Sequence, residues 1–152
     1  MKTAALILAL AVAVCGAGDS PACFLRGTLV TIKWDGTFKT GKTAAALQEL
    51  PSAVSKELTR EDLGALCSIL LAEQGRYDTH PTVRSVIRAV DTQGRASLLE
   101  FADGFFFVQV GDHRYKFDEA VAKWLVIRLP ADLQSGFLTE WRVRRGKRLA
   151  MP

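Results

Sequence analysis

Residues 83–117, VRSVIRAVDTQGRASLLEFADGFFFVQVGDHRYKF, decide the fold of this chain. Four short runs in this stretch are rich in β-branched and aromatic residues, which favours strands. Turn-forming residues separate the runs, as antiparallel hairpins require. The sequence therefore predicts a meander with strands at Val83–Asp91, Arg95–Phe101, Phe105–Val110 and His113–Phe117.

The segment before the meander predicts another strand at Phe24–Trp34, which contains several β-branched residues. Asp35-Gly36 follows it, and this dipeptide is typical of a hairpin turn, so we expect a short return strand through Phe38. Residues 43–58 look helical but interrupted, because Pro51 has no amide to donate inside a helix.

The clearest helix is predicted over Arg60–Gln74. Thr59 is the expected N-cap, Asp62 stands at the third helical position, and Gly75 closes the far end. The apolar face of this helix recurs at three- and four-residue spacing and is expected to pack in the core. Its members are Leu63, Leu66, Cys67, Leu70 and Leu71.

After the meander, Asp118 is expected to cap a further helix, while Trp124–Ile127 is apolar throughout and fits either a buried helix or a buried strand. Phe137–Arg144 alternates apolar and polar residues, which predicts a strand with a basic outer face. The predicted fold class is α+β. We expect a mostly antiparallel sheet of about five to seven strands, built from hairpins, with two or three helices packed on one face.

The first residues, MKTAALILALAVAVCGAG, have the layout of a secretory signal peptide: basic Lys2, an apolar core, and small residues at a cleavage site. The run is shorter than the ~20 apolar residues of a membrane span. We expect a signal peptide at 1–17, a single domain at 18–141, and a basic strand end and tail at 142–152. The mature protein would be secreted or periplasmic without a transmembrane segment. Lipid attachment at Cys15 is disfavoured because Val14 is not a small residue.

Cleavage would leave two cysteines, Cys23 and Cys67. In an oxidising compartment they are expected to form a disulfide that ties the first strand to the main helix. The alternative is two unlinked buried thiols. The cysteine spacing indicates no zinc site.

The positive charge of the chain, +4 overall, belongs to its C-terminus. Five basic residues are concentrated there, and the rest of the mature chain has more acidic than basic residues. Such a cluster can bind an anionic protein surface, a glycan or a lipid headgroup, whereas nucleic acid is not an expected partner. The alternative is a charged edge strand that prevents aggregation. The candidate binding residues are Arg142, Arg144, Arg145, Lys147 and Arg148.

Residues 36–43, GTFKTGKT, match the P-loop pattern that holds nucleotide phosphates. In that interpretation Gly36 and Gly41 shape the loop, Lys42 contacts the phosphates and Thr43 binds magnesium. The hairpin and helix-cap roles of Asp35-Gly36 and Thr43 explain the same residues without a nucleotide. A P-loop fold also needs parallel strand–helix–strand crossovers, which a meander does not provide.

The remaining candidates carry no recognisable catalytic constellation. His80 and His113 are expected in loops, without a nucleophile motif, and Phe105–Phe107 is expected to pack in the core. The sequence therefore favours an exported, non-enzymatic binding or inhibitory module that engages an anionic partner through its basic C-terminus. No cofactor and no metal is expected. The alternative is a P-loop protein of phosphotransfer or hydrolysis that uses residues 36–43.

Overall fold

The computed structural model describes residues 24–34, 43–73, 82–102, 105 and 107–151. Six strands and four helices lie in these ranges. In chain order they are β1 (Phe24–Thr31), α1 (Ala44–Gln48), β2 (Val54–Leu58), α2 (Arg60–Ile69), β3 (Val83–Asp91), β4 (Ala96–Ala102), β5 (Phe107–Val110), β6 (His113–Lys116), α3 (Glu119–Val126) and α4 (Ala131–Arg145).

The strands form one sheet in the order β2-β1-β3-β4-β5-β6, and every neighbouring pair is antiparallel. The predicted meander is confirmed as β3 to β6, and β1 adds to it beside β3. The α+β class is confirmed as well. Among the described residues no helix is both long and apolar enough to cross a membrane.

The two faces of the sheet carry different helices. Leu29 pairs with Ile87, and both belong to the large core cluster that also contains buried residues of α2, α3 and α4. Val30 pairs with Val86, and both belong to a smaller cluster with Ala44 and Leu47 of α1. Because successive residues of a strand point to opposite faces, three helices cover one face and α1 lies on the other. The predicted two or three helices on one face correspond to α2, α3 and α4, and α1 is a fourth helix on the other face.

An aromatic cluster forms the centre of the large core. The rings of Trp34 and Phe105 stack with centroids 5.1 Å apart, and Phe137 and Trp141 of α4 meet Phe105 edge-on. Such pairs add stabilisation beyond the area they bury. The indole nitrogen of Trp34 donates to the Ser85 hydroxyl at 3.1 Å, so this buried polar atom has a partner. The expected core packing of the 105–107 run is confirmed for Phe105 and Phe107, which are both buried.

Helix α2 begins where the sequence predicts and ends earlier. Thr59 accepts from the amide of Asp62, and the Asp62 carboxylate accepts from the amide of Thr59, forming a capping box. The helix ends at Ile69 because the chain then joins β6: the amide of Lys116 donates to the carbonyl of Leu71 at 2.8 Å. Leu71 is 53% exposed. The prediction that Leu71 belongs to the buried apolar face of this helix is therefore wrong.

Two segments adopt secondary structure that the sequence does not predict. Residues 54–58 form the edge strand β2 rather than a continued helix, and only Leu58 of that strand is buried. The predicted strand Phe137–Arg144 is wrong, since those residues lie in α4. Leu133, Phe137 and Trp141 are spaced by four residues and bury one helical face. Trp124–Val126 is helical within α3, and Asp118 caps that helix as expected.

Candidate functional site

The last turn of α4 carries Arg142, Arg144 and Arg145, and Gly146 ends the helix with a φ of 66°. Lys147 and Arg148 follow the helix. The expected common strand face for Arg142 and Arg144 is wrong: two residues apart on a helix, their side chains point about 160° away from each other. The described part of the 142–152 segment is also not a detached tail. Leu149 is buried and belongs to the large core cluster.

Three of the five candidate binding residues have partners within the protein. Nη2 of Arg145 donates to the carbonyl oxygens of Phe105 and Phe117 at 2.6 and 2.7 Å. Nε of Arg144 donates to Glu140 at 2.7 Å, and Nζ of Lys147 donates to Glu119 at 3.0 Å. The hydrogen bonds from Lys147 and then from Lys123 hold the pKa of Glu119 below its usual value. Of these contacts, those of Arg145 join α4 to distant backbone, whereas the ion pairs of Arg144 and Lys147 are exposed and contribute little to stability.

Arg142 and Arg148 are different. Both are exposed, and their guanidinium groups make no hydrogen bond or ion pair with another residue that the structure describes. Together they line a shallow cavity of about 220 Å³ with Leu138, Thr139 and Leu149. Two cations of the C-terminal cluster thus have no partner among the described residues and lie beside a small cleft.

Only one of the two cysteines of the predicted disulfide, Cys67, is among the described residues, and Cys23 lies outside them. Cys67 is half-buried on α2 and packs against the large core cluster. Helix α2 does lie on β1: a Cβ atom added to Gly27 would be 3.4 Å from Leu63. The pairing of Cys23 with Cys67 therefore stays a prediction.

Most of the P-loop candidate also falls outside the described ranges, which exclude Gly36, Gly41 and Lys42. Thr43 is described, and its hydroxyl accepts from the amide of Ala46 at 3.2 Å, so it caps α1. Every described strand pair is antiparallel, so no parallel crossover of the P-loop kind occurs among these strands. His80 is outside the described residues, and His113 is exposed on β6. Within those residues no group of three or more His, Cys, Asp or Glu side chains could share a metal ion.

A second surface depression is one that sequence reasoning missed. It lies on the α1 side of the sheet, beyond the area that α1 covers, and has a volume of about 470 Å³. Two rows of paired residues form it. One row runs Glu57, Thr28, Arg88, Leu98 across β2, β1, β3 and β4, and the other runs Arg26, Val90, Ala96 across β1, β3 and β4. We call these seven residues the open-face groove.

A β-bulge sets the direction of Arg26. Phe24 pairs with Asp91 but Arg26 pairs with Val90, so one extra residue of β1 is accommodated between them. Phe24 and Gly27 can therefore both face the large core although they are three residues apart. Arg26 and Thr28 consequently point to the open face.

The groove has an excess of positive charge. Arg26 and Arg88 are both exposed, and their guanidinium groups have no hydrogen-bond or ion-pair partner in the described part of the chain. The one groove carboxylate, Glu57, accepts from the Thr28 hydroxyl at 2.8 Å. Next to the groove, Glu100 pairs with Val86, and burial raises the pKa of its carboxyl group.

One sequence pattern points to this groove, namely the charged Arg88 between the apolar residues Ile87 and Ala89. Arg88 stands between the buried residues Ile87 and Ala89, which places it on the opposite face from them. No local sequence pattern indicates that Arg26 lies beside Arg88, because their proximity depends on the pairing of β1 with β3, which are about 60 residues apart in the chain. No family model, curated protein or solved structure matches this chain.

Proposed function

We propose that this chain is an exported, non-enzymatic binding or inhibitory module that engages an anionic partner through its basic C-terminus. The partner is an anionic protein surface, a glycan or a lipid headgroup. Of the five candidate residues, Arg142 and Arg148 are the ones that contact it, because the other three cations already have acceptors within the fold.

The observation that carries this proposal is the pair of guanidinium groups beside one cleft. Arg142 and Arg148 line this cleft together with Thr139. A bound anion could therefore accept hydrogen bonds from two guanidinium groups and one hydroxyl group. A guanidinium binds carboxylate, sulfate or phosphate oxygens through two parallel hydrogen bonds. Arg145 anchors the last turn of α4 to the body of the protein, which keeps Arg142 in a fixed position.

Export is supported by the first residues alone, which the structure does not describe. The non-enzymatic assignment is supported by the surroundings of the described cations: Arg142 and Arg148 lie beside apolar and hydroxyl side chains, with no acid, histidine or thiol among the cleft residues. Such a cleft can hold an anion, but it offers no side chain that would act as a general base.

The test compares two double variants of the mature protein that each remove two positive charges. Arg142→Ala/Arg148→Ala removes the cleft cations, and Lys56→Ala/Arg60→Ala removes two exposed cations from β2 and α2. Both are applied to immobilised heparin, phosphatidylglycerol vesicles and immobilised polyglutamate, and the salt needed for release is measured. We expect the cleft variant to release at clearly lower salt than the control from one of these probes. Equal release of both variants from all three probes would contradict the proposal.

A further inference from the structure

The open-face groove exists because α1 is short. This helix has five residues and covers the area around Val30 and Val86, where Ala44 and Leu47 pack. The two rows of the groove lie next to that area along the strands, and no helix of the described residues covers them. A sheet face of this kind is normally either polar throughout or covered, whereas this one carries exposed apolar residues that no described element covers.

The groove joins a charged end to an apolar floor. Arg26 and Arg88 are diagonal neighbours on β1 and β3, since Arg26 pairs with Val90 and Arg88 with Thr28. Diagonal neighbours on adjacent strands are about 7–8 Å apart, so both guanidinium groups can reach one anionic group between them. Beside them lie Val90, Ala96 and Leu98, and Leu98 is 42% exposed although it is a large apolar residue.

These features define the chemistry of the occupant. Two exposed arginines without acceptors among the described residues can bind an anion, and the exposed Leu98 can contact an apolar group attached to it. The volume of about 470 Å³ is in the range of small-molecule pockets. We propose that the open-face groove binds a long-chain monocarboxylate, with the carboxylate between Arg26 and Arg88 and the acyl chain over Val90, Ala96 and Leu98.

This site is separate from the cleft at the end of α4. The groove lies on the face that carries α1, and α4 packs on the other face of the sheet. The two proposals can therefore fail independently. Arg26 and Arg88 take no part in binding at Arg142 and Arg148.

The test uses the mature protein and 11-(dansylamino)undecanoate, a fluorescent long-chain carboxylate. We expect saturable binding that dodecanoate displaces at least ten times more effectively than dodecanol, because dodecanol lacks the anionic group. Arg26→Ala/Arg88→Ala should weaken the affinity at least tenfold, since each lost arginine removes charge-assisted hydrogen bonds. Lys56→Ala/Arg60→Ala, with the same loss of charge, should bind as the wild type does.

A second variant tests the apolar floor. Leu98→Asp places a carboxylate beside the arginines, and we expect it to abolish binding of the probe while circular dichroism shows an unchanged fold. Absence of saturable binding, equal displacement by dodecanol, or unchanged affinity of the arginine variant would overturn the proposal. A wild-type dimer that Leu98→Asp converts to a monomer would also overturn it, since a second copy of the chain would then occupy the groove.

Discussion

Arg145 donates from Nη2 to the carbonyl oxygen of Phe105 at 2.6 Å, joining the last turn of α4 to a residue 40 positions earlier. The same nitrogen donates to the carbonyl of Phe117 at 2.7 Å, and the guanidinium carbon lies 5.3 Å from the centroid of the Trp141 ring. Arg145, a candidate partner-binding residue, therefore contacts two backbone carbonyls within the protein.

We expect Arg145→Ala to lower the free energy of unfolding by about 1.5–3 kcal/mol, the usual net contribution of hydrogen bonds to a charged group. Urea unfolding at pH 7 measures this. Arg142→Ala is the matched control, because it removes a positive charge from the same turn but no described hydrogen bond of the side chain. An equal effect of both substitutions would show that charge at the helix end, rather than the two carbonyl contacts, determines the loss.

Phe105 combines a buried ring with a φ of 58°, which is rare for a bulky residue. Phe105→Ala should cost about 3–5 kcal/mol through lost core packing. Phe105→Gly loses the same ring but relieves the left-handed backbone strain of about 1 kcal/mol. We therefore expect the glycine variant to be more stable than the alanine variant in thermal unfolding. The reverse order would contradict a left-handed conformation at this position.

Gly27 and Gly64 should respond in opposite ways to alanine. A Cβ atom at Gly27 would lie 3.1 Å from the carbonyl oxygen of Arg88 and 3.1 Å from Cγ2 of Ile87, so we expect a loss of about 1–3 kcal/mol. Gly64 lies inside α2 with no heavy atom within 4 Å of the added carbon, and alanine there should stabilise by about 0.5–1 kcal/mol. Paired denaturant titrations measure both effects. A stabilising Gly27→Ala would contradict the close packing of β1 against β3 and α2.

Asp62 should make stability depend on acid pH. Burial, the largest influence, raises the pKa of its carboxyl group, but the hydrogen bonds from Thr59 and Arg128 together lower the pKa below 3.8. A lowered pKa in the folded state means that stability is fully present above pH 4 and is lost as pH falls through the folded value. Arg128 adds a 2.7 Å ion pair from the end of α3 to this carboxylate.

The variant Asp62→Asn removes this titration. We expect it to cost about 1 kcal/mol at pH 7 and to lose less stability than the wild type between pH 5 and pH 2.5. Melting temperatures over that range measure the difference. Parallel curves for the two proteins would mean that other carboxylates, such as Asp91 and Glu119, account for the acid sensitivity.

The export and disulfide predictions are tested by intact mass. The mass is measured for protein from each cell fraction of its own host. The species found outside the cytoplasm should begin near Gly18, and its mass should increase by that of two hydrogen atoms on reduction. This follows from the expected signal peptide at 1–17 and from the expected bond between Cys23 and Cys67. A full-length species in the cytoplasm, with the same mass before and after treatment with a reductant, would contradict both expectations.

Local patterns predicted the parts of the fold that depend on local chemistry. The turns between β3 and β4 and between β5 and β6, the N-cap at Thr59 and the cap at Asp118 all act over a few positions, and all four are confirmed. The predicted turn at 103–104 lies outside the described residues. The strand predicted at Phe137–Arg144 failed because Phe137 and Trp141, four residues apart, satisfy both a two-residue and a helical period. Val143 distinguishes the two periods: it is 68% exposed, although a strand would bury it with Phe137 and Trp141.

The remaining features depend on contacts between distant segments. Strand β2 is exposed apart from Leu58, so it has no apolar alternation that the sequence could reveal. The charges near the C-terminus are visible in the sequence, but their partners at Phe105, Phe117 and Glu119 become neighbours only in the folded chain. The open-face groove depends on the register between β1 and β3, which includes a bulge that no local pattern indicates.

Along β1 and β3, positions that build the core alternate with positions that line the proposed groove. Leu29, Ile87 and Ala89 are buried, whereas Thr28, Arg88 and Val90 lie on the other side of the same strands. The residues that build the core and the residues proposed to contact the ligand are therefore separate, and they alternate along the same strands. A library that varies only positions 26, 28, 88, 90, 96 and 98 would retain the core and sample new specificities, which makes this sheet a scaffold for selecting binders.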